Sequence, residues 1–258
     1  MSLVAIEMNK HGVARVTLNR PEVHNALNEA LIHELTECIH MLGRHINVRV
    51  IVLTGAGKSF SAGADLNWMQ RAADQNEDEN RADALRLAKL FETLNTCPRP
   101  IVGLINGAAL GGGVGLTACC DIAIAHTRAQ FGLTEVRIGL IPATISPYVT
   151  AKIGQAQARR YMLTAERISA DVAQKIGLVH EVSDDLDTAA QPVIDALVAN
   201  GPEAMAATKT LIADVADKPI TQDLMDMTAH RIAARRASAE GREGIAAFLE
   251  KRAPGWTE

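Results

Sequence analysis

Apolar and polar residues alternate with a period of two in VAIEM (residues 4–8) and VARVTL (13–18), which predicts two strands at the start of the chain. From Glu29 to Gly43 the apolar positions fall near helical spacing. RVIVLTG (49–55) reads as a buried strand ending in a glycine turn. Residues 70–95 are polar first and amphipathic later, the pattern of a mobile loop entering a helix. PRPIVGLINGAAL (98–110) is a second buried strand that opens into GGGVGLTACC, a helix start packed with small residues. DIAIAH (121–126) is a further strand candidate, and AQFGLTEVRIGLIP (129–142) a strand or loop with charges embedded in it. From Ser146 onward the pattern is almost wholly helical. Strand–helix alternation followed by a helical tail predicts an α/β core over 1–195 and a C-terminal helical region over 196–258. There is no internal repeat of fixed period.

Composition narrows this picture. The 258 residues are 48% hydrophobic and 22% charged, as in a folded globular protein. Aromatic residues are only 3%, so the core must be built from Ala, Val, Ile and Leu. A formal net charge of −4 argues against a nucleic-acid surface. The four cysteines (Cys38, Cys97, Cys119 and Cys120) include no C-x-x-C pair, and no His/Cys cluster has zinc spacing. They read as reduced core thiols of a cytoplasmic protein. The apolar stretch from Ile101 to Cys120 holds several glycines and is followed at once by Asp121, which reads as a buried strand–turn–helix and not as a membrane span.

GAGKSFSAGADL (55–66) resembles a phosphate-binding loop at its GKS tripeptide. That loop requires a glycine five residues before Gly57, where this chain has Val52, so the reading fails. A second decoy, Gly113-x-Gly115-x-x-Ala118, meets only the loosest dinucleotide fingerprint, and no complete mononucleotide-binding half precedes it.

The two glycine-rich turns do more together. Turns after buried strands leave backbone N–H groups unpaired, and a following helix adds its positive end. Small residues at Ala62, Gly63 and Ala64, and at Gly111, Gly112 and Gly113, let a ligand approach the main chain. Two such donors would form an oxyanion hole for a polarised carbonyl.

SFSAGADL, NGAALGGGVGL and CDIAIAHTRAQFGLTEVRIGLIP, in this order and spacing, resemble the enoyl-CoA hydratase/isomerase (crotonase) superfamily. NRPEVHNALN, LTAERISADVAQKIGLVHEV and EGIAAFLEKR extend the resemblance over nearly the whole chain. It implies a crotonase spiral of ββα turns, with the C-terminal helices assembling a homotrimer or a homohexamer built as a dimer of trimers. It implies the amides of Ala64 and Gly112 as the oxyanion pair, and Ala26, Ala62, Asp65 and Leu66 bordering coenzyme A. Coenzyme A enters as part of the acyl-CoA substrate, with no metal, redox cofactor, nucleic acid or membrane involved.

Hydratases of this family use two glutamates. The second matches Glu135; the first would stand at Gly115, a position bordering the substrate, so one expected carboxylate is missing. A glutamate in an apolar acyl pocket has a raised pKa, suited to proton transfer near neutrality. Glu135 alone suits either hydration of an α,β-unsaturated thioester or a proton shuttle, as in Δ3,Δ2-enoyl-CoA isomerases. A binding protein with its chemistry lost is the third reading. EVRIGLIPATISPYV and ARRYMLTAER resemble bacterial methylglutaconyl-CoA and γ-carboxygeranoyl-CoA hydratases of leucine and isoprenoid breakdown. This tilts the expectation to hydration of a carboxylated enoyl-CoA, with Arg137, Arg71 or Arg81 as candidate partners of the extra carboxylate.

Overall fold

The computed structural model describes residues 2–257. The two N-terminal alternating segments form the antiparallel hairpin β1 (Val4–Met8) and β2 (Val13–Leu18). Then come α1 (Glu29–Arg44), β3 (Val50–Gly55), β4 (Ser59–Ser61), α2 (Leu66–Asp74) and α3 (Glu77–Asn95). The next turn of the spiral is β5 (Ile101–Ile105), β6 (Ala108–Leu110) and α4 (Gly112–Cys119), and the third begins with β7 (Ile122–His126) and β8 (Gln130–Gly132). Each turn gives one strand to a large sheet and a three-residue strand to a small one. The large sheet runs β1-β2-β3-β5-β7 and ends in β10 (Glu181–Ser183); the small one runs β4-β6-β8 and ends in β9 (Arg167–Ser169). From β2 to β10 the large sheet is parallel. The expected α/β spiral of ββα turns is therefore what the chain forms.

Parallel strands covered on both faces are near-continuous apolar runs, and β3 and β5 are buried at every position, the hydroxyl of Thr54 donating to Leu104 O at 2.9 Å. Because side chains alternate, Ile51, Leu53, Ile101 and Ile105 join one core with α1 and α3, whereas Val50, Val52, Val102 and Leu104 join a second. That second core is closed by Ala190 and Ile194 of a later helix, α7 (Leu186–Ala199). On α1, Leu31, Leu35, Cys38, Ile39 and Leu42 are buried, and the Asn28 side chain caps the helix by accepting from the Leu31 amide at 2.9 Å. Fully burying each such Leu or Ile contributes about 1.5–3 kcal/mol. All four cysteines are free and buried, and burial raises the Cys120 thiol to about 12.

Two expectations need correction. Residues 70–95 are not a loop entering a helix: α2 and α3 are separated only by Gln75 and Asn76. Asn76 and Glu79 form a reciprocal capping box whose acidic first turn stabilises the helix that the polar pattern disguised. The segment after Ser146 is mostly helical, as α5 (Ser146–Thr164, broken at Gly154) and α6 (Ala170–Lys175), but β9 and β10 interrupt it. Three-residue strands are too short to show alternation; the sheets they join decide them. α7 runs unbroken through residue 195. Beyond it lie α8 (Pro202–Val215), α9 (Gln222–Ala237) and α10 (Ala239–Glu250). Neither α8 nor α9 contains a buried residue. Among the described residues no helix is long and apolar enough to cross a membrane.

Candidate active site

The site is built where the first two spiral turns leave the sheets. The GKS turn leads from β3 into another strand, β4, not into a helix, so no helix N-terminus stands where a bound phosphate would need it. The Gly113–Ala118 decoy lies inside α4. What the first turn does is present residues 62–65. Asn25, fully buried with φ 55°, fixes it from outside. Its amide nitrogen donates to the carbonyls of Ala56 (3.0 Å) and Ser59 (2.9 Å), and its oxygen accepts from the Arg20 amide at 2.9 Å. Leu27 then pairs with the loop: its amide donates to Gly63 O at 2.6 Å and its carbonyl accepts from Asp65 N at 2.9 Å. This bridge turns the Ala64 amide the other way, and it bonds to no described acceptor.

The Gly112 amide is equally free. It opens α4, so no intrahelical carbonyl lies behind it, and no described residue accepts from it. Gly63 makes the approach of the two turns possible. Its φ is +87°, and a Cβ there would stand 2.6 Å from Leu110 O. Two unpaired amides from adjacent turns, one at the positive end of a helix, can stabilise an oxyanion.

Glu135 starts a short 3-10 turn, Glu135–Ile138, after β8. Its carboxylate sits over Gly111, the residue before the free amide: a Cβ there would lie 3.0 Å from Glu135 Oε1. With φ +48° and ψ −113°, Gly111 would carry a side chain only under strain. Glu135 Oε2 is buried with no hydrogen-bond partner among the described residues. Burial raises the carboxyl's pKa, opposed only by a bond from its own backbone amide. An unpaired carboxylate oxygen beside an oxyanion hole is what a general base requires.

These groups line one cleft of about 540 Å³. Ala62, Ala64, Gly112 and Glu135 are brought together there as expected. Ala26 is buried and outside the cleft, its neighbour Leu27 taking that place. Asp65 is buried and outside it too: it caps α2, accepting from Asn67 N at 2.9 Å, and is ion-paired with Arg20 at 2.9 Å. Burial raises its pKa, but the Arg20 bond and the Asn67 and Trp68 amides outweigh this and hold the carboxyl low. Leu66 is exposed and does not line the cleft. A larger cleft of about 1140 Å³, between the N-terminal hairpin and α7, contains none of these groups.

Gly115 does not border the cleft; a Cβ there would meet Ile145 Cγ2 at 2.3 Å and Phe91 Cε1 at 2.8 Å. The place of the missing carboxylate is filled with hydrocarbon. The sequence reading looked to this segment only for a cation, at Arg71 or Arg81, and missed the apolar α2–α3 wall from Trp68 to Leu87. Of the three arginines considered, Arg137 lines the cleft, joined by Arg167, and Arg71 and Arg81 do not.

The profile of the Enoyl-CoA hydratase/isomerase family matches residues 8–258. A Short-chain-enoyl-CoA hydratase from Clostridium acetobutylicum is 36% identical over 217 residues, covering 82% of each chain. The crystal structure of an enoyl-CoA hydratase from Shewanella pealeana is 48% identical, with a TM-score of 0.96 over 98% of this chain and 96% of that one. Pseudomonas aeruginosa AtuE is 37% identical, with a TM-score of 0.94 over 99% of this chain and 100% of its own.

Proposed function

The chain belongs to the enoyl-CoA hydratase/isomerase family, and on that footing we propose that it adds water across the α,β double bond of an acyl-CoA thioester with Glu135 as its acid–base group. The observation that carries this reading is the unpartnered Glu135 Oε2 beside the unpaired Ala64 and Gly112 amides. The thioester oxygen accepts from both amides, which lowers the energy of the enolate formed on attack. Glu135 takes a proton from water as the C–O bond forms at Cβ, and the electron pair of the double bond moves into the enolate. With Ile145 and Phe91 occupying the second carboxylate's place, we assign the return of that proton to Cα to Glu135 as well. The step balances as one water added, with no cofactor.

Mass spectrometry tests the reading after incubation with crotonyl-CoA, 3-methylglutaconyl-CoA and a 3-enoyl-CoA. Hydration gives a product heavier by one water, and Glu135→Gln lowers its rate by roughly 10²–10⁴-fold. The single carboxylate also favours a second reading, the isomerase, which gives a product of unchanged mass with a moved double bond. Acyl-CoA binding without turnover of any of the three would leave a binding protein.

The carboxylated substrate suggested by the sequence is the finer part of this proposal, with Arg137 and Arg167 as its cations in the cleft. Arg137 already donates to Ala165 O at 2.7 Å, which holds its guanidinium in place. Self-assembly belongs to the proposal too, as a trimer or a pair of trimers. The exposed Ile212, Ile232, Ile245 and Phe248 on α8–α10 support it, Phe248 being 82% exposed. Light scattering on the purified chain reads the subunit number.

A further inference from the structure

The cleft contains a second carboxylate that the proposed reaction does not use. Asp83 on α3 lines the cleft and is only 4% exposed. Its Oδ2 accepts from Trp68 Nε1 at 3.3 Å, and its Oδ1 meets the Arg86 guanidinium as an ion pair outside hydrogen-bond geometry. Aspartate is rarely found this deep unless paired, and Arg86 is the cation that pairs with it. The two charges of the pair are not equivalent. The Arg86 side chain is 55% exposed and does not line the cleft, so solvent screens it. Asp83 instead lines the cleft within a wall of Trp68, Met69, Ala72, Ala84 and Leu87, with Asn80 the other polar side chain of this wall. A fixed negative charge in an apolar wall acts strongly on a ligand charge brought against it.

We propose that Asp83 is a specificity-determining residue: the α2–α3 wall admits acyl chains that are uncharged there and rejects those that present a carboxylate to it. The proposal rests on the acyl-CoA reading of the cleft and refines it. A carboxylated substrate has to turn its carboxylate toward Arg137 and Arg167. Discrimination of this kind works by repulsion of the wrong ligand and adds nothing to the affinity of the right one.

The test is calorimetric binding of two unreactive ligands, pentanoyl-CoA and glutaryl-CoA, which differ by a terminal carboxylate. Neither carries a double bond to hydrate, so the readout is independent of turnover. Asp83→Asn is expected to tighten glutaryl-CoA binding by roughly tenfold and to leave pentanoyl-CoA binding unchanged, whatever Arg137 and Arg167 add to the wild-type affinity. Asp83→Ser is made alongside it, so that poor folding of one variant does not decide the matter. Trp68→Phe keeps the ring, loses the indole donor, and keeps the wild-type preference. An unchanged ratio of the two affinities in both Asp83 variants overturns the proposal. An equal shift of the ratio in Trp68→Phe overturns it as well, because Asp83 then acts only by holding the indole. Failure of the wild-type chain to bind either ligand overturns the acyl-CoA reading itself, and this proposal with it.

Discussion

Gly115→Ala puts the account of the missing carboxylate to its sharpest test, because the sign of its effect is at stake. Gly115 lies inside α4, and replacing an uncrowded helical glycine by alanine stabilises a helix by about 1 kcal/mol. Here the added methyl would stand 2.3 Å from Ile145 Cγ2 and 2.8 Å from Phe91 Cε1. Neither neighbour can retreat easily, since Ile145 is 2% exposed and Phe91 fully buried. Overpacking of this kind costs about 1–3 kcal/mol, which meets or exceeds the propensity gain. The expected outcome is a net loss of up to about 2 kcal/mol, a fall in melting temperature of about 4–8 °C at the upper end. In an Ile145→Ala background the Cγ2 contact is gone while those with Phe91 Cε1 at 2.8 Å and the remaining Cβ at 3.0 Å persist, so the loss should shrink, with a double-mutant coupling of about 1 kcal/mol. Thermal and urea unfolding of the four proteins read both quantities. A Gly115→Ala chain more stable than wild type, with no coupling to Ile145, would refute the reasoning and reopen that space to a carboxylate. Gly115→Glu, carrying the same clash and a longer side chain, is expected to lower hydration activity and not to restore a second acid–base group.

The raised pKa of Glu135 puts the acidic limb of kcat/KM above the carboxyl's ordinary 4.5: activity falls as pH drops through the raised value, and Glu135→Gln abolishes that limb. The same shift has a stability sign. The folded state holds this proton more tightly, so the contribution is fully present below 4.5 and lost as pH rises through the folded pKa, a trend that pH-dependent melting should show diminished in Glu135→Gln. Gly63→Ala forces a side chain onto φ +87° and against Leu110 O at 2.6 Å; a loss of about 2 kcal/mol or more and a fall in kcat are expected from unfolding and steady-state assays. Asp65→Ala leaves Arg20 buried without its partner and α2 uncapped; a loss of about 3–5 kcal/mol is expected, and a smaller one would mean that Arg20 finds solvent.

The sequence by itself determined the strands that are long enough to carry a pattern, the helix α1, and the two small-residue turns. Those signals are local: β3 and β5 read as buried because, Thr54 apart, they are apolar runs, and glycine is favoured at 63 and 111 because a side chain is strained on the backbone there. Ala64, Gly112 and Glu135 were expected from the resemblance of these motifs to the family. Only the tertiary structure decided which neighbours actually reach the cleft. Asp65 was expected to border coenzyme A, yet capping α2 and pairing with Arg20 use its carboxylate. Gly115 was expected beside the substrate, yet Ile145, just before α5, and Phe91 of α3 close the space over it. Asp83 sat in a stretch read as a mobile loop entering a helix, and it is buried with Trp68 of α2 against it. Backbone conformation is set by a residue and its near neighbours, whereas burial and side-chain partnership are set by whatever the fold brings to the other side.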